Sequence, residues 1–105
     1  MEADSNQYRV IVSDEAAQML VSHARFLAKV SEKAANELIL EFSEKAKTLE
    51  AFPERNPWIV DPSLPDRKYR KLLLGKWLLM IYQIRAGAVY VDYVVDCRQD
   101  YSWLL

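Results

Sequence analysis

The sequence predicts an α+β fold in which a helical hairpin packs on a mainly antiparallel sheet. Tyr8–Val12 alternates in the manner of a short strand, and two stretches with apolar residues at three- and four-residue spacing follow as helices. Three runs rich in apolar and β-branched residues then end the chain, separated by short turns that contain the only 2 glycines. Such runs are typical of consecutive strands joined by tight hairpins, so we expect a three-strand antiparallel meander after the helices.

The first helix begins after Ser13, whose side chain is suited to cap it. Asp14 and Glu15 place negative charge in its first turn, where the helix dipole favours it. Its apolar stripe repeats at helical spacing and consists of Ala16, Ala17, Leu20, Val21, Ala24, Leu27 and Ala28.

The second helix is predicted to begin after the break at Val30-Ser31, with Ser31 as its cap, and to end before Phe52-Pro53. Its stripe consists of Ala35, Leu38, Ile39, Phe42, Ala46 and Leu49. We expect Leu38, Ile39 and Phe42 to face the sheet. A short connection between two amphipathic helices predicts that they pair antiparallel and lay one apolar face on the strands.

All four prolines lie between Pro53 and Pro65, which predicts a loop with an exposed Trp58. The strands that follow are predicted at about Tyr69–Leu74, Trp77–Ile84 and Val89–Val95. The middle run is apolar on both faces, as a central strand would be. Strict alternation in the last strand predicts that four residues share one face, namely Val89, Val91, Tyr93 and Val95.

Composition and charge narrow the class of protein. The 105 residues fit one domain able to bury a core, with residues 1–7 expected to be disordered. The net charge of −1 divides into +3 from Asp66 onward and −4 before it, too weak a basic footprint for a protein held mainly by phosphate contacts. A single cysteine, no signal peptide and no long apolar run predict a soluble cytoplasmic protein without a membrane anchor.

Several cues occur in an order that is similar to a known family. They are Leu49-Glu50-Ala51-Phe52-Pro53-Glu54, Tyr69-Arg70-Lys71-Leu72, Met80-Ile81-Tyr82-Gln83-Ile84 and Asp96-Cys97-Arg98-Gln99-Asp100-Tyr101. Together with the order of elements, they resemble the RelE/ParE toxins of bacterial type II toxin–antitoxin systems, over nearly the whole chain from Tyr8 to Leu105. The resemblance implies a single toxin-like domain over residues 1–105, neutralised by a cognate antitoxin and linked to growth inhibition and plasmid stabilization.

Members of this family act in two ways, and the resemblance leaves both open. Some inhibit DNA gyrase by contact; others cut messenger RNA on the ribosome without a metal, using basic residues on the second and third strands and a C-terminal arginine and tyrosine. Arg70 and Arg98 match that ribonuclease pattern. The tyrosine position falls near Leu104, with Tyr101 and Trp103 as nearby substitutes. The second basic position of the second strand falls on Leu72, and the arginine position of the third strand falls on Leu79.

The chemistry of RNA cleavage needs cations for the developing charge, an acid and a base. Arg70, Lys71 and Arg98 are candidate cations and Tyr101 a candidate acid, but the sequence offers no evident base. Lys68, Lys71 and Lys76 are candidates for contact with the target or with RNA. His23 lacks the neighbours of a metal ligand, so we expect a structural or surface role for it. Cys97 is expected to be a small apolar residue at a strand end, and we expect no metal and no cofactor.

The leading hypothesis is therefore a toxin that binds a target such as DNA gyrase. The alternative is a ribosome-dependent endoribonuclease that uses Arg70 and Arg98, and whether the chain is an enzyme stays open. A third possibility is a toxin that has lost its toxicity. The acidic overall balance and the leucines at positions 72 and 79 favour the binding protein.

Overall fold

The computed structural model of the chain describes residues 7–97. The elements in chain order are β1 (Arg9–Val12), α1 (Asp14–Ala28), α2 (Glu32–Thr48), a 3₁₀ turn (Pro53–Arg55), β2 (Arg70–Leu74), β3 (Leu78–Arg85) and β4 (Ala88–Asp96). Every element predicted from the sequence is present, and each strand begins and ends within one residue of its predicted bounds. Residues 1–7 were expected to be disordered, and residues 1–6 lie outside the described part of the chain.

The four strands form one mixed sheet in the order β1-β4-β3-β2. The meander is confirmed, because β3 pairs antiparallel with both β2 and β4. β1 adds a parallel edge, with Arg9 opposite Ala88 and Val12 opposite Val91. The helical hairpin that follows β1 is the crossover that such a parallel pairing requires.

Serine caps begin both helices, as predicted. The hydroxyl oxygen of Ser13 accepts a hydrogen bond from the Ala16 amide at 2.9 Å, and that of Ser31 accepts from the Ala34 amide at 3.1 Å. Each cap satisfies an amide that has no partner within the helix. Neither α1 nor α2, the two α-helices among the described residues, is long and apolar enough to cross a membrane.

The turn between β3 and β4 has two residues, Ala86 and Gly87, both at positive φ (51° and 78°). Two consecutive left-handed residues are typical of the hairpin turn whose twist matches that of the strands. Gly75, at φ 64°, begins the turn between β2 and β3, and its amide donates to the Glu41 carboxylate at 3.0 Å. This bond joins the turn to α2.

Two apolar clusters cover the two faces of the sheet. The helix-side core joins the helices to the sheet and contains Ala16, Leu20, Leu38, Phe42, Leu49, Leu74, Met80, Tyr82, Val89, Val91 and Val94. The opposite face, here called the far face, is partly covered by the loop before β2. Its cluster contains Ile59, Tyr69, Leu79, Ile81 and Val95. A sheet covered on both sides explains why the middle run is apolar on both faces.

A β-bulge at Asp92 overturns the predicted face of β4. Tyr82 is opposite Val91 and Ile81 is opposite Tyr93, so Asp92 has no partner of its own. The extra residue reverses the alternation beyond it. Val89 and Val91 therefore share the helix-side core with Val94, whereas Tyr93 and Val95 belong to the far face.

Two further predictions need correction. Leu38 and Phe42 are buried as expected, but Ile39 is 38% exposed, because α2 turns only a narrow stripe toward the sheet. Trp58 is half-buried rather than exposed. It forms an isolated antiparallel bridge with Arg70, which brings its indole against the start of β2.

Candidate functional site

Arg70, the predicted catalytic cation on β2, is held in contacts with the loop that precedes the strand. One terminal nitrogen of its guanidinium donates to the backbone carbonyls of Asn56 at 2.6 Å and Glu54 at 3.1 Å. The guanidinium carbon lies 3.7 Å from the centre of the Trp58 ring, which is a cation–π stack. These contacts tie residues 54–58 to the edge of the sheet. A second nitrogen of the group, Nε, is buried and has no hydrogen-bond partner in the part of the chain that the structure describes.

Tyr82 continues this network into the core. Its hydroxyl donates to the Pro53 carbonyl at 2.5 Å and accepts from the Asn56 side-chain amide at 3.0 Å. Burial raises the pKa of Tyr82, and the Asn56 hydrogen bond and the Arg70 charge oppose that rise. Neutral Tyr82 and charged Arg70 thus hold the same loop from two strands, which indicates a structural role for this pair.

The residues at the ribonuclease positions do not lie on one face. Arg70 is opposite Tyr82 and Leu72 is opposite Met80, so both point to the face that carries the helices. Leu79, at the third position, lies on the far face and is 7% exposed. The two leucines pack in the two apolar clusters, and a cation in their place would lose that packing.

Lys71 lies on the far face, because it is opposite Ile81. Its amide donates to the Pro57 carbonyl at 3.1 Å, and its side chain lines an open groove of about 480 Å³. The other residues of this groove are Asn56, Pro57, Leu72, Leu73, Leu79 and Cys97. Of the candidate cations described, only Lys71 lines a groove on the far face.

The other two predicted lysines lie at opposite ends of β2. Lys68 precedes the strand, with its ammonium 5.2 Å from the centre of the Tyr69 ring. Lys76 is exposed in the turn that follows the strand. Five residues of strand span about 17 Å, so Lys68, Lys71 and Lys76 do not converge on one small ligand. Arg98 and Tyr101, the other two predicted site residues, lie outside the described residues.

The sequence reasoning missed a group of cations and tyrosines on the far face, beside the turn between β3 and β4. We call this group the tyrosine face, and its members are Arg9, Lys68, Tyr69, Arg85, Tyr90 and Tyr93. Pairing places Arg9 beside Ala88 and Ala88 beside Arg85, so the two arginines lie in one row across three strands. The guanidinium of Arg85 lies 4.7 Å from the centre of the Tyr90 ring.

The centre of the tyrosine face is a set of polar and aromatic contacts. The Gln83 amide donates to the Asp92 carboxylate at 2.6 Å, and the Tyr69 and Tyr93 rings meet edge to face with centroids 6.4 Å apart. Burial raises the pKa of Tyr69, and the negative charge of Asp92 raises it further, whereas the positive charge of Arg85 lowers it. Burial is also the largest cause of the raised pKa of Tyr93. Electrostatic interactions with Tyr69, Glu15 and Asp92 raise it further. Tyr69 and Tyr93 are therefore neutral at physiological pH.

One feature of the sequence could have predicted the tyrosine face. On β3, Gln83 and Arg85 alternate with the core residues Tyr82 and Ile84, which places two polar side chains on the opposite side of the sheet. The bulge at Asp92 obscured the contribution of β4, because it lets Tyr90 and Tyr93 reach the same face at a three-residue spacing. Arg9 gave no signal of its own, since its neighbour on the sheet is 79 positions away.

His23 and Cys97 have the environments expected of structural residues. His23 Nε2 lies 3.2 Å from the Val94 carbonyl, which links α1 to β4. Cys97 follows β4, packs beside the far-face cluster and donates its amide to the Trp77 carbonyl at 2.6 Å. Within residues 7–97 no group of three or more histidine, cysteine or carboxylate side chains is arranged to hold a metal ion.

Comparison with known proteins identifies the fold. No protein-family model matches the sequence, and no curated protein matches it either. Among solved structures, the chain is similar to one from a structure described as "Chromosomal ParDE TA system from P. aeruginosa", with a TM-score of 0.69 and 13% identity. The similarity covers 87% of this chain and 97% of that one. The resemblance to the RelE/ParE family found in the sequence is thus confirmed at the level of the fold.

Proposed function

We propose that this chain is the toxin of a type II toxin–antitoxin pair and inhibits growth by binding a cellular target such as DNA gyrase. The observation that carries the proposal is the fold, which matches a chain of a ParDE toxin–antitoxin structure over nearly its whole length. A cognate antitoxin protein is then the expected partner, a single cytoplasmic domain the expected form, and plasmid stabilization the role expected of the pair.

The contacts of Arg70 favour binding over RNA cleavage. A catalytic cation must be able to reach the phosphate as charge develops in the transition state. Arg70 instead donates to two loop carbonyls and stacks on Trp58, and the leucines at positions 72 and 79 pack in apolar clusters. A binding protein needs none of these cations, so these three positions fit contact inhibition without further assumptions.

The alternative is a ribosome-dependent endoribonuclease, and one observation favours it. Lys71 lines the groove on the far face, and Cys97 lines it too. Cys97 directly precedes Arg98 in the sequence. In that mechanism Lys71 and Arg98 supply the cations and Tyr101 the acid, without a metal.

Expression and two assays with purified protein test the proposal. Induced expression of this chain alone should arrest bacterial growth, and co-expression with its cognate antitoxin, to be sought among small neighbouring genes, should restore growth and yield a stable complex. Unchanged growth, with no complex formed, would overturn the toxin assignment.

The mechanism is tested by adding the purified chain to a gyrase supercoiling reaction and to ribosomes that carry messenger RNA. Contact inhibition predicts blocked supercoiling and intact messenger. The ribonuclease alternative predicts cut messenger, with cleavage lost in Arg98→Ala while the fold stays intact.

A further inference from the structure

The tyrosine face carries a local positive charge on a protein that is negative overall. The net charge of the chain is −1. Four cations on the far face, Arg9, Lys68, Lys71 and Arg85, are accompanied by the Asp92 carboxylate, with Glu15 close enough to affect Tyr93. The structure shows no ion pair between a carboxylate of residues 7–97 and Arg9, Lys68 or Arg85, and Glu50 lines an open cavity together with Arg9. These three cations are exposed and available to an anionic partner.

The arginines are arranged as a row with defined spacing. Arg9 and Arg85 flank Ala88 on neighbouring strands, so two strand spacings, about 10 Å, separate their backbones. Lys68 belongs to the same surface, because Tyr69, on whose ring it lies, is affected by the charges of Arg85 and Asp92. The surface therefore offers several separate cations rather than one pocket for a small anion.

Two of the cations lie over aromatic rings of the same surface. Arg85 stacks on Tyr90 at 4.7 Å, and Lys68 lies over Tyr69 at 5.2 Å. A guanidinium that lies on an aromatic ring keeps its N–H groups available for a carboxylate and loses less conformational freedom on binding. Such an arrangement favours recognition of carboxylates that are spaced along a chain.

We propose that the tyrosine face binds an acidic polypeptide segment. This inference rests on the proposed function and deepens it, because the segment is then part of the antitoxin. A single-stranded nucleic acid is the less suitable occupant of this face. Recognition of single strands depends on bases stacked on open aromatic rings. Here Lys68 and Arg85 already cover a face of two rings, and Tyr69 is only 6% exposed.

The test measures binding of two fluorescent probes to the purified full-length chain: a poly-glutamate peptide and a poly-uridine RNA of the same charge. The double variant Lys68→Gln/Arg85→Gln should weaken peptide binding about two- to thirtyfold, since it removes two exposed ion pairs that contribute roughly 0.2–1 kcal/mol each. The matched control, Arg25→Gln/Lys29→Gln, removes the same two residue types from exposed positions at the end of α1 and should leave peptide binding unchanged.

Circular dichroism melts of both variants establish that the fold is retained. Equal weakening in the two double variants would overturn the proposal, because binding would then follow net charge alone. Absence of peptide binding to the wild-type chain, or tighter binding of the RNA that depends on Lys68 and Arg85, would also overturn it. None of these readouts requires the chain to be toxic, so their failure is distinct from the absence of growth arrest on expression.

Discussion

The Ser13 hydroxyl donates a hydrogen bond to the Asp92 carbonyl at 3.1 Å, across 79 positions of sequence. The same oxygen accepts from the Ala16 amide, and the Ser13 amide donates to the Val91 carbonyl at 3.0 Å. A bulge removes its extra residue from the regular ladder, so a carbonyl there needs a partner from outside the sheet. One serine therefore begins α1 and fixes α1 to the bulge of β4.

This double role predicts that Ser13→Ala destabilises the protein more than Ser31→Ala. Loss of a cap alone costs about 1 kcal/mol, the expected result for Ser31, which caps α2 only. Ser13→Ala also removes the partner of the Asp92 carbonyl, so we expect a total of about 2 kcal/mol. Urea unfolding of the two variants measures the difference. Equal losses would mean that the bond between Ser13 and Asp92 contributes nothing to stability.

The caps were predictable from the sequence, and the bulge was not. Ser13 and Ser31 act on amides three residues away, so the pattern that predicts them lies within one helical turn. The bulge at Asp92 depends on pairing with β3 and on Ser13, which are distant in sequence. Alternation alone therefore predicted the wrong face for Tyr93 and Val95.

Truncation to alanine should destabilise the protein much more at Phe42 than at Ile39, although both residues lie on α2. Phe42 is 8% exposed in the helix-side core, so Phe42→Ala should cost about 3–5 kcal/mol through lost burial and the cavity left behind. Ile39 is 38% exposed, and Ile39→Ala should cost less than about 1 kcal/mol. Thermal or urea melts check both values, and a larger loss for Ile39 would show that α2 is rotated from the orientation described.

The turn between β3 and β4 offers a stabilising change. Ala86 has a φ of 51°, where a Cβ costs about 1–2 kcal/mol. Ala86→Gly removes that strain but loosens the unfolded chain, so we expect a net gain of about 0.5–1 kcal/mol. Ala17→Gly, the same change at an exposed position inside α1, should instead cost about 1 kcal/mol. A lower melting temperature for Ala86→Gly would contradict the left-handed conformation of residue 86.

The candidate site was predictable only in part, because the role of a strand residue depends on which face it occupies. The sequence identified Arg70 and Lys71 as candidate cations, and neighbours on a strand point to opposite faces. It did not predict that Trp58 returns to pair with Arg70, because a proline-rich loop carries no periodic pattern. That pairing turns Arg70 toward its own loop and leaves Lys71 on the far face.

Arg70 is therefore expected to act on stability, in contrast to Lys71. Arg70→Ala leaves the Glu54 and Asn56 carbonyls without their donor and removes the stack on Trp58, so we expect a loss of about 1–3 kcal/mol in urea unfolding. Arg70→Lys should recover only part of this loss, because an ammonium can donate to the carbonyls but cannot stack as a plane on the Trp58 ring. Lys71→Ala should change stability by less than about 0.5 kcal/mol.

Growth arrest by Arg70→Ala, measured at a temperature where the variant is folded, should match that of the wild-type chain. Lost growth arrest together with an unchanged unfolding curve would instead indicate that Arg70 touches the target or an RNA substrate.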